Sequence, residues 1–205
     1  MNVALFGASG RTGKELMLQS LIKGYQVKAL VRRLDSIDLT DQKLSLVEGD
    51  VRDAAAVEKA MEGADVVLVA LGARSSKEAG VHSEGTHQIV EAMKKNKINR
   101  IIVVSSAGIF GAKDSSFFFG NVIRPLFLRK IFNDKLKQLE VLEKSALEWV
   151  LVRPSALIDG QKTGKYHITE DKPAGKNIAC ADVAEFMLGQ LNGSKYLRKM
   201  PIISY

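Results

Sequence analysis

Three glycines at three-residue spacing follow directly on an apolar segment at the start of the chain. Residues 3–6 are all apolar, Gly7, Gly10 and Gly13 come next, and a helix-like pattern begins at once. Gly7 lets the backbone turn sharply out of a strand, Gly10 lets a pyrophosphate approach the main chain, and Gly13 lets the helix pack closely on the sheet. The N–H groups of the first helical turn favour a bound anion. This context predicts a dinucleotide phosphate site, and an ordinary glycine-rich turn is the alternative.

The remaining sequence alternates apolar strand patterns with amphipathic helix patterns. Strands are predicted at residues 2–6, 26–31, 44–47, 65–71, 100–105 and 149–152, and helices at residues 12–23, 54–61, 81–96 and 133–145. The unbroken apolar run at 66–69 is typical of a parallel strand covered on both faces. We therefore predict a single-domain α/β doubly wound (Rossmann) fold over residues 1–205, with a mainly parallel sheet flanked by helices.

The composition restricts the setting and the partners. Hydrophobic residues make up 46% of the chain and charged residues 26%, which is typical of a soluble globular protein. No apolar run is long enough to span a membrane, and we expect no signal peptide before the glycine loop. The single cysteine, Cys180, builds neither an internal disulfide nor a metal site, so we expect a cytoplasmic location. The net charge of +7 suits a dinucleotide phosphate better than nucleic acid or a membrane surface.

The end of the second predicted strand bears on the choice of cofactor. A site for NAD usually places a carboxylate there to hold the ribose hydroxyls, whereas a 2′-phosphate requires cations. Here the strand ends in Arg32 and Arg33 with no acid in position, and Arg11 of the glycine loop could reach the same group. Guanidinium groups offer planar, multi-donor contacts to phosphate. We therefore expect NADP(H) rather than NAD(H), and the alternative is that these arginines are solvated surface residues.

Several sequence runs together resemble one known family. They are Gly7-Ala8-Ser9-Gly10-Arg11-Thr12-Gly13, Val31-Arg32-Arg33, Glu48-Gly49-Asp50-Val51, Val69-Ala70-Leu71-Gly72 and Val104-Ser105-Ser106-Ala107. The chain resembles the atypical short-chain dehydrogenase/reductases, and most of all the NAD(P)H-binding group that contains biliverdin-IXβ reductase (a flavin reductase) and the NmrA-like proteins. The similarity extends from residue 2 to about residue 191.

The resemblance implies a set of cofactor contacts. Asp50 and Val51 would flank the adenine, and Ser105 and Ser106 would lie beside the nicotinamide. Further residues are implied at the ribose and pyrophosphate and at the far wall of the nicotinamide pocket: Leu71, Gly72, Ala73, Arg153 and Pro154. Two alternatives stay open, because Asp50 also suits a turn after a glycine, and serines at a strand end often bond to the backbone.

The chain departs from the family in lacking a catalytic tyrosine. Standard short-chain dehydrogenases use a Tyr-x-x-x-Lys pair for proton transfer, and none of the four tyrosines has a lysine four residues later. Alignment with the family places Lys135 at the lysine and Ile131 at the tyrosine. The resemblance then implies hydride transfer to an acceptor that needs little acid catalysis: a flavin (as substrate), a quinone or a tetrapyrrole.

The resemblance also suggests which residues act in the reaction. Ser106 would hydrogen-bond the acceptor, and Lys135 would position the cofactor or stabilise developing negative charge. Lys135 also suits an ordinary place on a helix surface. Ser155 and His82 are weaker candidates.

A phenylalanine-rich segment at residues 109–132 follows the fifth predicted strand. Six of the eight phenylalanines lie there: Phe110, Phe117, Phe118, Phe119, Phe127 and Phe132. We expect the wall of a pocket for a planar acceptor together with core packing. A dimer contact or a membrane-surface patch is the alternative. The sequence leaves the oligomeric state open, and it leaves two functions open: a reductase, or an NADP(H)-binding sensor of the NmrA-like kind.

Overall fold

The computed structural model describes residues 1–73, 78, 80–113 and 126–205, and at 111–113 and 126–128 the description covers the backbone. The predicted cluster Phe117–Phe119 lies outside the described residues, as does the side chain of Phe127. The remaining chain forms one large sheet with helices on both faces.

The strands assemble in the order β3-β2-β1-β4-β5-β6-β10-β8. Their bounds are β1 Asn2–Phe6, β2 Gln26–Val31, β3 Leu44–Glu48, β4 Val66–Val69, β5 Arg100–Val104, β6 Glu148–Pro154, β8 His167–Thr169 and β10 Ile202–Ser204. All neighbours pair in parallel except β8, which is antiparallel to β10. Two further strands, β7 (Ala156–Ile158) and β9 (Asn177–Ala179), form a separate parallel pair.

In the described part of the chain five α-helices cover the sheet: α1 Arg11–Ile22, α2 Ala54–Met61, α3 Val81–Lys95, α4 Leu126–Lys144 and α5 Cys180–Gly189. Residues of α1 and α5 pack in one buried apolar cluster, and residues of α2, α3 and α4 pack in the other. Strand β4 shows the division directly, because Val66 and Leu68 belong to the first cluster and Val67 and Val69 to the second. Burial on both faces explains its unbroken apolar sequence, and the predicted doubly wound α/β fold is confirmed.

The sheet order reverses at β1, and this reversal positions the site. Strands β2 and β3 lie on one side of β1, and β4, β5 and β6 lie on the other. The connections that leave the carboxyl ends of β1 and β4 therefore diverge, and a crevice opens between them. The predicted loop at residues 7–13 lies at this point.

The structure corrects the predicted elements mainly in the last third of the chain. Helix α4 begins at Leu126 rather than at 133, and β6 continues through Pro154 rather than ending at 152. The prediction missed α5 and β7 to β10. Each of these four strands has only three residues, which is too short for a periodic pattern to be recognised.

Candidate functional site

A cavity of about 450 Å³ lies at the carboxyl ends of the parallel strands. Its wall is built from the segments that follow β1 to β5, from the start of α3, and from α4. Of the predicted site residues, those that line it are Gly7, Ser9, Gly10, Arg11, Thr12, Arg32, Asp50, Val51, Leu71, Gly72, Ala73, Ser105 and Lys135. Predicted residues that lie outside this wall are Ala8, Gly13, Arg33, Ser106, Arg153 and Pro154.

The glycine loop is fixed by close backbone packing. Gly7 has a φ of +90°, and a Cβ there would lie 2.3 Å from the carbonyl oxygen of Ala70. A Cβ on Gly13 would lie 2.0 Å from the carbonyl oxygen of Gly7. Both positions therefore require glycine. Gly10 is different, because its Cβ would meet no atom closer than 3.4 Å, so a side chain there would fit against the protein.

The amino end of α1 faces the cavity wall formed by this loop. No side chain among the described residues caps the helix after Gly10, so the N–H groups of its first turn are available to an anion. Arg11 extends from this turn toward β7, where its Nη1 donates to the Leu157 carbonyl at 3.3 Å and lies 3.5 Å from Oδ1 of Asp159, the residue that follows the strand. Leu157 also lines the cavity.

Charged side chains surround the end of the cavity beside β2 and β3. Arg32 forms an ion pair with Glu78, and both residues line the cavity. Asp50 accepts hydrogen bonds from the Arg52 guanidinium at 2.9 and 3.0 Å, and these bonds lower the pKa of Asp50 to about 2. Asp50 is therefore ionised across the physiological range. The adenine contact that the resemblance implies for it stays a prediction.

Arg33 occupies a different environment from Arg32. Its guanidinium pairs with Asp35 at 3.2 Å, and both side chains are 75% exposed. Since Arg33 does not line the cavity, its predicted phosphate contact has no geometric support here, and it stays untested.

Ser105 and Ser106 end β5 with different surroundings. The hydroxyl of Ser105 is buried at the cavity wall and finds no hydrogen-bond partner among the described residues. Ser106 Oγ instead accepts a hydrogen bond of 3.4 Å from the Gly108 N–H, in the short helical turn Ala107–Lys113. A buried hydroxyl without a partner is available to a ligand. The geometry therefore favours Ser105 over Ser106 as the group that meets a ligand here.

Lys135 and Ile131 lie one turn apart on α4, and both line the cavity. Burial lowers the pKa of Lys135 to about 8, although the neighbouring Asp134 charge partly opposes the effect. A lysine at this pKa changes its charge close to neutral pH. Lys135 is partly buried at the cavity wall, and its predicted role in the reaction stays untested.

A buried pair joins the start of α3 to α4. His82 Nδ1 lies 3.0 Å from Asp134 Oδ2, the same carboxylate accepts the backbone N–H of His82, and it accepts hydrogen bonds from Ser83. Burial lowers the pKa of His82 below its usual value, and the bonds from His82 and Ser83 outweigh burial in lowering the pKa of Asp134. His82 is thus a neutral side chain at the cavity wall near neutral pH.

The four tyrosines lie elsewhere in the described structure. The Tyr166 hydroxyl donates to Glu185, the Tyr205 hydroxyl donates to Asp182, and neither Tyr25 nor Tyr196 lines the cavity. The Tyr-x-x-x-Lys pair is therefore missing from the cavity wall among the described residues, as the sequence predicts.

Arg153 and Pro154 support the neighbouring strands. Arg153 is buried, its Nε donates to the Met200 carbonyl at 3.0 Å, and its Nη2 donates to the Glu170 carbonyl at 2.7 Å. The guanidinium carbon lies 5.1 Å from the centre of the Phe110 ring. These contacts account for a buried arginine through packing, and the predicted role at the cofactor stays untested. The Ser155 hydroxyl is likewise engaged, donating to the Gly175 carbonyl at 3.0 Å.

Sequence reasoning missed Glu78, Arg52 and Leu157 at the cavity wall. Arg52 follows Asp50 by two residues, so its proximity could have been read from the sequence. Glu78 lies 46 residues beyond Arg32, and Leu157 belongs to one of the short strands. No local pattern could have indicated either contact.

The donors at this cavity fit a nicotinamide dinucleotide. The uncapped helix end and glycine loop suit a pyrophosphate, Arg32 suits an anionic group at the β2 end, and the Ser105 hydroxyl lacks a partner among the described residues at the β5 end. Groups of three or more side chains that could hold a metal ion are missing from the described part of the chain. Nor does any described helix have the length and apolar character needed to cross a membrane.

Comparison with known proteins agrees with this geometry. The NAD(P)H-binding family model matches residues 7–194. The uncharacterized protein YwnB of Bacillus subtilis (strain 168) is 25% identical over 201 residues, which cover 93% of this chain and 92% of YwnB.

Two solved structures show the same fold. The oxidoreductase ylbE from Lactococcus lactis has a TM-score of 0.82 at 20% identity, over 99% of this chain and 90% of its own. ChuY, an anaerobillin reductase from Escherichia coli O157:H7, has a TM-score of 0.79 at 22% identity, over 99% of this chain and 96% of its own. The chain therefore belongs to the NAD(P)H-binding family.

Proposed function

We propose that the protein is an NADPH-dependent reductase that transfers hydride to a conjugated acceptor such as a flavin, a quinone or a tetrapyrrole. The observation that carries this proposal is the pairing of Lys135 with Ile131 at the cavity wall. An isoleucine side chain cannot transfer a proton. Reduction of simple ketones and epimerisation through a tyrosine are therefore disfavoured, whereas conjugated acceptors take hydride without a protein acid.

The coenzyme would be held mainly by backbone and by one arginine. The N–H groups at the start of α1 and the side chains of Ser9, Arg11 and Thr12 would hold the pyrophosphate, and Arg32 would hold the 2′-phosphate. Bound NADPH would supply hydride from its reduced nicotinamide. Solvent would supply the proton to the reduced acceptor.

Lys135 and Ser105 are the polar groups proposed to act at the β5 end. In its charged form Lys135 would stabilise negative charge that develops on the acceptor, and the low-dielectric surroundings that lower its pKa strengthen this interaction. The hydroxyl of Ser105, which has no hydrogen-bond partner among the described residues, would orient a carbonyl or amide group of the nicotinamide or the acceptor. A cytoplasmic location is part of this proposal and rests on the single cysteine.

The test is oxidation of NADPH by the purified protein, followed through the absorbance of reduced nicotinamide. FMN, a simple quinone and biliverdin would serve as acceptors, and the anaerobillin activity of ChuY motivates the tetrapyrrole. A simple ketone and an aldehyde would run as matched negative substrates. We expect turnover with at least one conjugated acceptor and none with the ketone or aldehyde.

Two results would contradict the reductase proposal. Faster turnover of the ketone than of every conjugated acceptor would mean that another group supplies the proton. Tight NADPH binding without turnover of any acceptor would favour a sensor. An Ile131→Phe variant is a control for the first result. It places an aromatic ring without a hydroxyl at the tyrosine position, so it should not gain ketone reduction.

A further inference from the structure

The ion pair between Arg32 and Glu78 places a carboxylate where the sequence of β2 has none. Arg32 follows β2 directly, at the position from which cofactor preference is usually judged. Glu78 reaches it from beyond β4, and its side chain is 18% exposed, compared with 56% for Arg32. The carboxylate is therefore the more enclosed partner, and both line the cavity.

Other charges at this end are engaged with each other. Asp50 is bonded to Arg52, and these bonds, more than the nearby Glu84 and Glu78, raise the pKa of the Arg52 guanidinium. Arg32 contacts Glu78 directly through its guanidinium. A guanidinium has five N–H donors in a fixed plane, so Arg32 can bind Glu78 and a second acceptor at the same time. If that second acceptor is an anion, it lies next to the negatively charged carboxylate of Glu78.

The two coenzymes differ at this point in charge. A free ribose 2′-hydroxyl donates a hydrogen bond to a carboxylate, which is how an acid beside β2 normally serves NAD. A 2′-phosphate carries negative charge instead and competes with the carboxylate for the same arginine. We propose that Glu78 is a cofactor-specificity residue, which lowers the preference of the site for NADPH over NADH by occupying Arg32. The inference relies on the proposed function only for the coenzyme site.

Equilibrium binding of NADPH and NADH to the full chain tests this proposal without any acceptor. Binding is followed by the fluorescence of reduced nicotinamide for the wild type, Glu78→Gln and Glu84→Gln. Glu84→Gln is the matched control, because it removes the same charge from an exposed position on α3 that does not line the cavity. Because the test measures binding alone, an absence of turnover would reject the reductase proposal without affecting the outcome of this test.

For Glu78→Gln we expect the Kd of NADPH to fall about tenfold, which corresponds to about 1.4 kcal/mol, while the Kd of NADH stays the same or rises. Glu84→Gln should shift both coenzymes by less than about twofold. An unchanged NADPH-to-NADH ratio in Glu78→Gln would overturn the proposal, and so would an equal gain in Glu84→Gln.

The route through Arg32 is tested by a double-mutant cycle. In an Arg32→Gln background the gain from Glu78→Gln should disappear, since the competition needs the shared guanidinium. A gain that persists in full would overturn the proposal. Glu78→Asp provides a second variant in case Glu78→Gln does not fold, because the shorter side chain moves the carboxylate away from Arg32 and keeps its charge. Its expected gain for NADPH is about threefold, and no gain would count against the proposal.

Discussion

The cavity wall beside β1 and the cavity wall beside β5 are of different kinds. Beside β1 the wall is backbone, packed so closely that Gly7 and Gly13 accept no Cβ. Beside β5 the wall consists of side chains from three elements: Ser105 after β5, His82 on α3 and Lys135 on α4. The first region offers fixed N–H dipoles, and the second offers a hydroxyl together with two groups, His82 and Lys135, whose charge changes with pH.

This difference separates binding from chemistry. Backbone donors recognise a phosphate without titrating, so coenzyme affinity at the glycine loop should be nearly independent of pH. The side chains at the β5 end owe their properties to burial, which can be changed by one substitution. The same contrast predicts that damage to the backbone region affects binding, and stability where a Cβ has no room, whereas damage to the other region affects turnover or stability.

The largest effect is expected when a methyl group is added to the backbone region. Gly13→Ala places a Cβ 2.0 Å from the Gly7 carbonyl oxygen, and we expect a loss of roughly 3 kcal/mol or more in the free energy of unfolding. In Gly10→Ala the added methyl group has room against the protein, so the free energy of unfolding should stay within about 1 kcal/mol of the wild-type value. It should nevertheless weaken NADPH binding by about a hundredfold, because its methyl group occupies space required by the pyrophosphate.

Denaturant unfolding and coenzyme titration of both glycine variants check this prediction. If Gly10→Ala binds NADPH as tightly as the wild type, the pyrophosphate does not approach the main chain at this loop. If Gly13→Ala is as stable as the wild type, the helix is not pressed against the strand end as described.

Asp134→Ala should give the next largest effect, and it acts on stability. The substitution leaves His82 buried beside an empty site and removes the acceptor of two backbone N–H groups at the start of α3. We expect a loss of about 3 kcal/mol in the free energy of unfolding. Asn133→Ala, on the exposed neighbouring position of α4, should change it by less than about 0.5 kcal/mol. Equal effects would mean that the His82–Asp134 pair does not hold α3 to α4.

The same pair sets the acid sensitivity of the fold. Both pKa values lie below their ordinary values of 6.5 for His82 and 3.8 for Asp134, so the unfolded chain binds more protons than the folded chain in acid. Stability should therefore fall as the pH drops below 6.5, and again below about 4. His82→Asn can keep a donor toward Asp134 and should remove the loss of stability that begins below pH 6.5. If that loss persists in the variant, it belongs to another group.

Lys135→Met should lower kcat/KM by about a hundredfold, because a positive charge is lost from the place where negative charge develops. Activity of the wild type should decline above pH 8, as Lys135 loses its proton, and Lys135→Arg should delay this decline because arginine stays charged. A pH profile with the same decline in Lys135→Arg would remove Lys135 from the reaction.

Stability should respond to Lys135 in the opposite direction. Its folded pKa of about 8 lies below its ordinary value of 10.5, so the unfolded chain binds the additional proton between these values and stability rises with pH there. Lys135→Met should remove this rise and should make the protein more stable at neutral pH. A residue that costs stability but supports turnover is typical of a functional site. Greater stability of the wild type at neutral pH would contradict this reading.

The sequence predicted the backbone region in detail because its signal is local. The apolar strand, the three glycines and the following helix occupy neighbouring residues, and the unbroken apolar run of β4 indicated a strand buried on both faces. The mainly parallel sheet followed from the alternation of strands and helices, and the family model agrees with the coenzyme class.

The side-chain region could not be predicted in the same way, because its contacts join distant residues. The partner of His82 is 52 residues away, and Glu78 meets Arg32 across 46 residues. The sequence predicts both Ser105 and Ser106 at the site, and of these two only Ser105 lines the cavity, since a one-residue difference at a strand end reverses the side a side chain faces. Leu157 was missed for another reason, because it lies in β7, one of the strands of only three residues that the sequence pattern does not indicate.

The smallest predicted effect distinguishes Arg32 from Arg33, which the sequence alone predicts to bind the 2′-phosphate together. Arg32 lines the cavity, whereas Arg33 pairs with Asp35 at the surface, with both side chains 75% exposed. Arg32→Ala should weaken NADPH binding by about tenfold, or about 1.4 kcal/mol, and should leave NADH within about threefold. Arg33→Ala should change either Kd by less than about twofold, because exposed ion pairs contribute little and its charge is screened. Coenzyme titration at low and at high salt checks both. An equal loss in the two variants would show that the 2′-phosphate lies outside the cavity, within reach of Arg33, and would place the coenzyme's adenosine end closer to the surface than the ion pair between Arg32 and Glu78 indicates.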